Sequence, residues 1–145
     1  MKKLVFLFML VHTTVLVSQE SSFKAVEKTL QNYITGSSYN KLQQLESAFT
    51  KDATLYLTGR DGFFKIYTPK EYSGFFKNKK NGEFNGRVGK ILSIEIFKDI
   101  ASAKAEIFGP DRKWVYIDLF LLKETEKGWK IISKTATRVD ESKNK

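Results

Sequence analysis

The side chains that usually perform acid–base, nucleophilic or metal chemistry are scarce in this chain. Among 145 residues there is no cysteine and one histidine, His12. A zinc site and a Ser-His-Asp or Cys-His nucleophile need cysteine or histidine, and the one histidine lies in an N-terminal segment expected to be cut away. No glycine-rich phosphate loop follows a strand pattern. What remains is a carboxylate in an unusual place. Asp118 lies in the middle of Lys113–Lys134, a run rich in β-branched and aromatic residues and broken by a short polar turn ending at Gly128. On a strand, Trp114, Tyr116, Asp118, Phe120 and Leu122 share one face, and Val115, Ile117, Leu119 and Leu121 share the other. A carboxylate stripped of water costs on the order of several kcal/mol unless it finds a partner or takes up a proton. Asp118 therefore marks either an interior ion pair, with Arg87, Lys134 or Arg138 as partner, or the polar floor of a pocket walled by Trp114, Tyr116 and Phe120.

The elements that position this run can be read from the N-terminus. Met1-Lys2-Lys3 is basic, Leu4–Val17 is apolar but short of the ~20 residues that a membrane span needs, and Ser18 is small. This is the pattern of a secretory signal peptide, residues 1–18. It would carry His12 away with it and leave a single domain over residues 19–140 with a polar tail at 141–145. The expected location is secreted or periplasmic, with no membrane attachment once the signal is cut. Lysine and arginine total 25 against 16 acids, for a formal charge of +9. A basic exported protein meets acidic polysaccharide or an anionic surface more readily than nucleic acid. No nucleic-acid partner is expected, because the Lys77–Lys80 run lacks interleaved aromatic residues and reads as a solvated loop.

Ser21-Ser22 can cap a helix with Phe23, Val26, Leu30 and Ile34 in its apolar stripe, which Gly36 should stop. Ser37-Ser38 can cap a second helix, with Tyr39, Leu42, Leu45 and Phe49 on one face. Ala53–Thr58 and Phe63–Tyr67 alternate as strands around Gly59-Arg60-Asp61-Gly62. Thr68-Pro69-Lys70-Glu71 is a capping box that starts a short helix, with Tyr72, Phe75 and Phe76 pointing one way. Strands follow over Arg87–Phe97, Ala101–Phe108, Lys113–Lys123 and Trp129–Arg138. The fold class is α+β, a curved antiparallel sheet wrapped around N-terminal helices in the order α-α-β-β-α-β-β-β-β.

This order resembles the nuclear transport factor two-like, or cystatin-like cone, superfamily, which includes ketosteroid isomerases and polyketide cyclases. Tyr33-Ile34-Thr35-Gly36, Ala48-Phe49-Thr50-Lys51-Asp52-Ala53, Asp118-Leu119 and Gly128-Trp129-Lys130-Ile131 resemble the branch labelled "putative lumazine-binding". The resemblance implies that Tyr33 stands where ketosteroid isomerases carry their oxyanion-hole tyrosine. Asp118 would stand near their second donor, a carboxylic acid kept protonated by apolar surroundings. Their general base falls on Leu57, which cannot take a proton. No catalytic residue, metal or cofactor is expected.

Two functions remain. The first is a non-catalytic binder of a small apolar or aromatic ligand, with a pocket of Tyr33, Leu57, Trp114, Tyr116, Asp118 and Phe120. The second is an isomerase or hydratase using Glu71, Glu95 or Glu106 as base. Tyr33 can equally be an ordinary helix residue, and the three aromatic residues of the Asp118 face can equally be core. On the opposite face, Val115, Ile117, Leu119 and Leu121, beside Ile132, make an apolar row that a second copy of the chain would cover. A homodimer through the outer sheet face is therefore expected.

Overall fold

A computed structural model of the protein describes residues 2–59 and 62–139, with side chains from Glu20 onward except at Arg112. The tail at 141–145 and the Arg60-Asp61 step of the first turn lie outside the described residues. A long helix α1 (Lys2–Ser38) is followed by α2 (Leu42–Ser47), β1 (Phe49–Thr58), β2 (Phe64–Tyr67), α3 (Pro69–Ser73) and a single 3₁₀ turn at Gly74–Phe76. Four long strands complete the chain: β3 (Val88–Phe97), β4 (Ile100–Phe108), β5 (Val115–Thr125) and β6 (Gly128–Val139). Among the described residues no helix is long and apolar enough to cross a membrane.

The α+β order is as the sequence implies, with three local corrections. Helix α1 runs unbroken from Lys2, so Ser21-Ser22 caps nothing here. Gly36 does not stop the helix either; it lies inside α1 because the backbone of α2 crosses against it. A Cβ at Gly36 would fall 2.5 Å from the Leu45 amide nitrogen and 2.6 Å from its Cα. The chain turns instead at Asn40, with φ at +55°, and α2 begins after Lys41 without a side-chain cap. Finally, Phe49, placed on the second helix by its spacing, opens β1 instead, and the Thr50–Asp52 break expected after it continues that strand. The cause is tertiary: β1 lies parallel to β6, with Phe49 opposite Ile131, a pairing that no local propensity announces.

The sheet order is β2-β1-β6-β5-β4-β3, antiparallel except for β1 against β6. Its concave side receives Val26, Leu30, Tyr33 and Ile34 of α1, all buried at helical spacing, while Phe23 is left exposed. Thr29 ties α1 to β6 by donating to the Trp129 carbonyl at 2.9 Å. The capping box forms as expected: Thr68 Oγ1 accepts from the Glu71 amide, and Glu71 Oε2 accepts from the Thr68 amide at 2.7 Å. It fixes α3 so that Tyr72 turns inward. Phe76 packs on the core, but Phe75 is exposed, because the helix gives way to a 3₁₀ turn that rotates it outward.

One irregularity decides the chemistry of the interior. Leu122 pairs with Ile131 and Leu121 with Ser133, so Ile132 is an extra residue in β6, a β-bulge. Side chains alternate with a period of two, so one inserted residue inverts every position beyond it. Ile131 and Lys134 both face inward, and Lys134 is buried opposite Phe120.

The row Val115, Ile117, Leu119 and Leu121 also needs correction. Leu119 and Leu121 are 49% and 54% exposed, but Val115 is buried and Ile117 half-buried. Val115 is covered by its cross-strand neighbours Phe108 and Val139, both large and apolar.

The Gly36 crossing is open to test. Gly36→Ala puts a methyl group into the backbone of α2, which cannot move aside cheaply. Denaturant unfolding is expected to show a loss of about 1–3 kcal/mol, unlike the gain that alanine gives at an open helical position.

Candidate functional site

The inner face of β5 carries Asp118 between two alanines, Ala105 on β4 and Ala136 on β6. These small neighbours leave room for longer side chains to converge on the carboxylate. Lys134 reaches it from the bulged strand, with Nζ 3.0 Å from Oδ1. Tyr33 reaches it from α1, and its hydroxyl donates to Oδ2 at 2.6 Å. Asp118 and Lys134 are 1% and 2% exposed and Tyr33 is fully buried. A desolvated ion pair of this kind holds only where its remaining groups are also bonded, and here the aromatic shell completes it. The Lys134 ammonium lies 5.5–6.0 Å from the ring centres of Tyr72, Tyr33 and Phe120. Phe120 and Phe49 pack edge-on against the Tyr33 ring at 5.1 and 5.9 Å.

The network continues towards the surface. The Tyr72 ring stacks on Tyr33 at 6.1 Å, and their hydroxyls are 2.8 Å apart. Since Tyr33 spends its proton on Asp118, Tyr72 donates to Tyr33. Arg87 then caps both: Nη2 donates to the Tyr33 oxygen at 3.1 Å and to the Tyr72 oxygen at 3.3 Å, and Nε donates to Ser37 Oγ at 3.2 Å. Its position is set by a loop pinned to the end of α1. Asn85 Nδ2 donates to the Ser37 carbonyl and to Asn40 Oδ1, and Asn85 Oδ1 accepts from the Arg87 amide. Arg87 is half-buried, and its guanidinium carbon lies 5.9 Å from the Phe76 ring and 5.8 Å from the Trp114 ring.

The electrostatics follow from this packing. Burial pushes the Tyr33 phenol well above its ordinary value, and the Asp118 charge and Tyr72 add to the shift while Arg87 opposes it. Tyr33 is thus a protonated donor across the usual pH range. Burial on its own pulls the Arg87 guanidinium down. The oxygens of Tyr72, Tyr33 and Asp118 outweigh that, so it is held above its ordinary value and stays charged.

Of the six residues expected to form a pocket, Tyr33, Asp118 and Phe120 meet directly. Trp114 and Tyr116 are half-buried, their rings 5.5 Å apart, and join the others through Arg87. The Trp114 indole lies flat on Gly109, where a Cβ would fall inside the ring. Leu57 packs against the core from β1 and makes no polar contact with the cluster. Asp118 differs from the protonated donor that the isomerase resemblance implies, since it accepts from both Tyr33 and Lys134. None of the three glutamates considered as bases is bonded to Tyr33. Glu71 is held in its capping box, and Glu95 and Glu106 sit at outward positions of β3 and β4. A separate surface cleft of about 750 Å³ between α2, α3 and the β5–β6 turn is lined by none of the six.

Tyr72, Ser37 and Arg87 belong to the site although the sequence did not place them there. The capping box located Tyr72 on a helix but not on Tyr33. Arg87 and Lys134 stood out only as cations that Asp118 might pair with.

Comparison with known proteins agrees with this architecture. Residues 21–136 match the family model described as "Putative lumazine-binding". The chain belongs to that family. Among solved structures it is similar to an NTF2-like protein from Shewanella baltica, with 19% identity, a TM-score of 0.72, and coverage of 83% of this chain and 95% of that one. An NTF2-like protein with a cystatin-like fold from Novosphingobium aromaticivorans matches with 11% identity and a TM-score of 0.71, covering 92% of each chain. A ketosteroid isomerase-like protein from Erwinia carotovora atroseptica matches with 15% identity and a TM-score of 0.61, covering 81% of this chain and 95% of that one. At these identities the likeness is one of fold, the nuclear transport factor two-like cone. No curated protein matches.

The ion pair predicts a particular mutational pattern. Asp118→Leu strands the Lys134 ammonium and is expected to cost about 3–5 kcal/mol in urea unfolding, whereas Asp118→Leu with Lys134→Met is expected to recover most of that loss.

Proposed function

We propose that this is an exported small-molecule-binding protein that does not catalyse a reaction. Its ligand enters on the side of the cone where Phe76 and Trp114 flank Arg87, with Tyr116 beside Trp114, and it rests above the Tyr33–Asp118–Lys134 cluster. The family description favours a small ligand, and a wall of aromatic rings with few, well-placed polar groups suits one. The observation that carries the reading is that the cluster's polar atoms are already committed to one another. Asp118 accepts from Lys134 and Tyr33, Tyr33 gives its proton to Asp118, and the position of the isomerase base is Leu57. Such a site orients a ligand but has no free base with which to remove a proton. Export rests on the basic, apolar and small-residue pattern of positions 1–18.

Protein recovered from the exporting cell's periplasm or medium is expected to have the mass of a chain lacking about the first 18 residues. Solvent extraction and mass spectrometry of that protein should release a small aromatic or conjugated molecule. The molecule should be lost in Trp114→Ala with Tyr116→Ala. A clean wild-type extract, or a molecule converted to product on incubation, would count against the reading.

We also propose a homodimer through the outer sheet face. Leu119, Leu121 and Ile132 are 49%, 54% and 38% exposed, with Tyr56 at 37% on the same side of the sheet. A self-complementary patch of this kind is most simply covered by its own copy across a two-fold axis. Light scattering at micromolar concentration is expected to give twice the chain mass. Leu119→Glu with Leu121→Glu should give a monomer with an unchanged circular dichroism spectrum.

A further inference from the structure

The charges of the interior cluster do not balance, and the imbalance points to a class of ligand. Among the described residues Asp118 is the carboxylate bonded to the cluster, and Lys134 answers it at 3.0 Å inside a shell of rings. That leaves Arg87 with neutral partners alone: Ser37 Oγ on Nε, and the Tyr33 and Tyr72 oxygens on Nη2. Its Nη1 donates to no described residue. A guanidinium bonded to hydroxyls keeps its whole charge, and the two N–H groups of Nη1 offer an anionic oxygen a charge-assisted contact that is stronger than one to a neutral acceptor. Lys134 cannot be the receiver, since it is buried and already paired. Arg87 can be, because it is half-buried beside the rings of Phe76 and Trp114, flat surfaces against which a planar body stacks.

We propose that the ligand is a planar aromatic or conjugated acid whose anionic group is received by Arg87. This rests on the binding reading above and narrows it from any small apolar molecule to an acidic one. Tyr33 and Tyr72 act as positioning residues, holding Nη2 so that Nη1 is left for the ligand.

Calorimetric titration of the full chain with naphthoate and with its neutral isostere naphthamide tests the assignment. Naphthoate is expected to bind at least about tenfold more tightly, the discrimination one charge-assisted contact supplies. In Arg87→Gln the two probes should fall within about threefold of each other. Arg87→Lys keeps the charge but not Nη1 with its two planar N–H groups, and should lose at least about threefold of the preference. Equal affinities in the wild type would overturn the acidic-ligand assignment while leaving the binding reading intact. Failure of both probes at millimolar concentration would overturn both. A preference that survives in Arg87→Gln would put the anion elsewhere and overturn the role of Arg87. Should Arg87→Gln fail to fold, an undiminished preference in Arg87→Lys would do the same.

Discussion

The buried Asp118–Lys134 pair is the constraint to which the interior of this cone answers. Removing two charges from water costs several kcal/mol for each, and their attraction repays that only when the geometry is close and every remaining polar atom is bonded. The surrounding structure meets both conditions. Alanines flank the carboxylate, the Tyr33 hydroxyl takes its second oxygen, and three rings surround the ammonium. A bulge at Ile132 is what brings the lysine inside at all. The apolar core and the polar cluster are therefore one construction, since the same rings that bury α1 against the sheet also shield the ion pair.

From that pair a chain of hydroxyls leads outward to a second cation. The Tyr33 hydroxyl stands between the Asp118 carboxylate and the Arg87 guanidinium and bonds both, and the Tyr72 hydroxyl bonds Tyr33 and Arg87. The inner end of the network is electrically closed and the outer end is not. The gradient runs from a paired and dry floor to a half-exposed cation beside aromatic rings.

The two faces of the sheet have opposite requirements. The concave face is closed by α1, α2 and α3, so its apolar residues are buried within one chain. The convex face has no covering element among the described residues, and Leu119, Leu121 and Ile132 remain in contact with water. Strand β5 serves both faces, which is why it reads as apolar on each side with a single carboxylate in the middle.

Much of this was legible in the sequence, for reasons that are local. Period-two alternation defined β3 to β6 and put Tyr116, Asp118, Phe120 and Leu122 on one face. The Thr68–Glu71 capping box defined α3, and Val26, Leu30 and Ile34 marked the buried stripe of α1. Asp118 was singled out as a carboxylate among apolar neighbours, and Tyr33 by the family resemblance. Features that depend on long-range contact were not legible. Gly36 looked like a helix stop because a missing Cβ reads as flexibility, whereas here it makes space for the backbone of α2. Phe49–Asp52 joined a strand because β6 lies beside it. The identity of Asp118's partner depended on whether β6 carried one residue more than β5. Strict alternation from Ile131 would have turned Lys134 to the outside. The sequence by itself determined which residues must be hidden; the tertiary structure decided which of them meet, because that turns on register, and register is set by pairing between strands far apart in the chain.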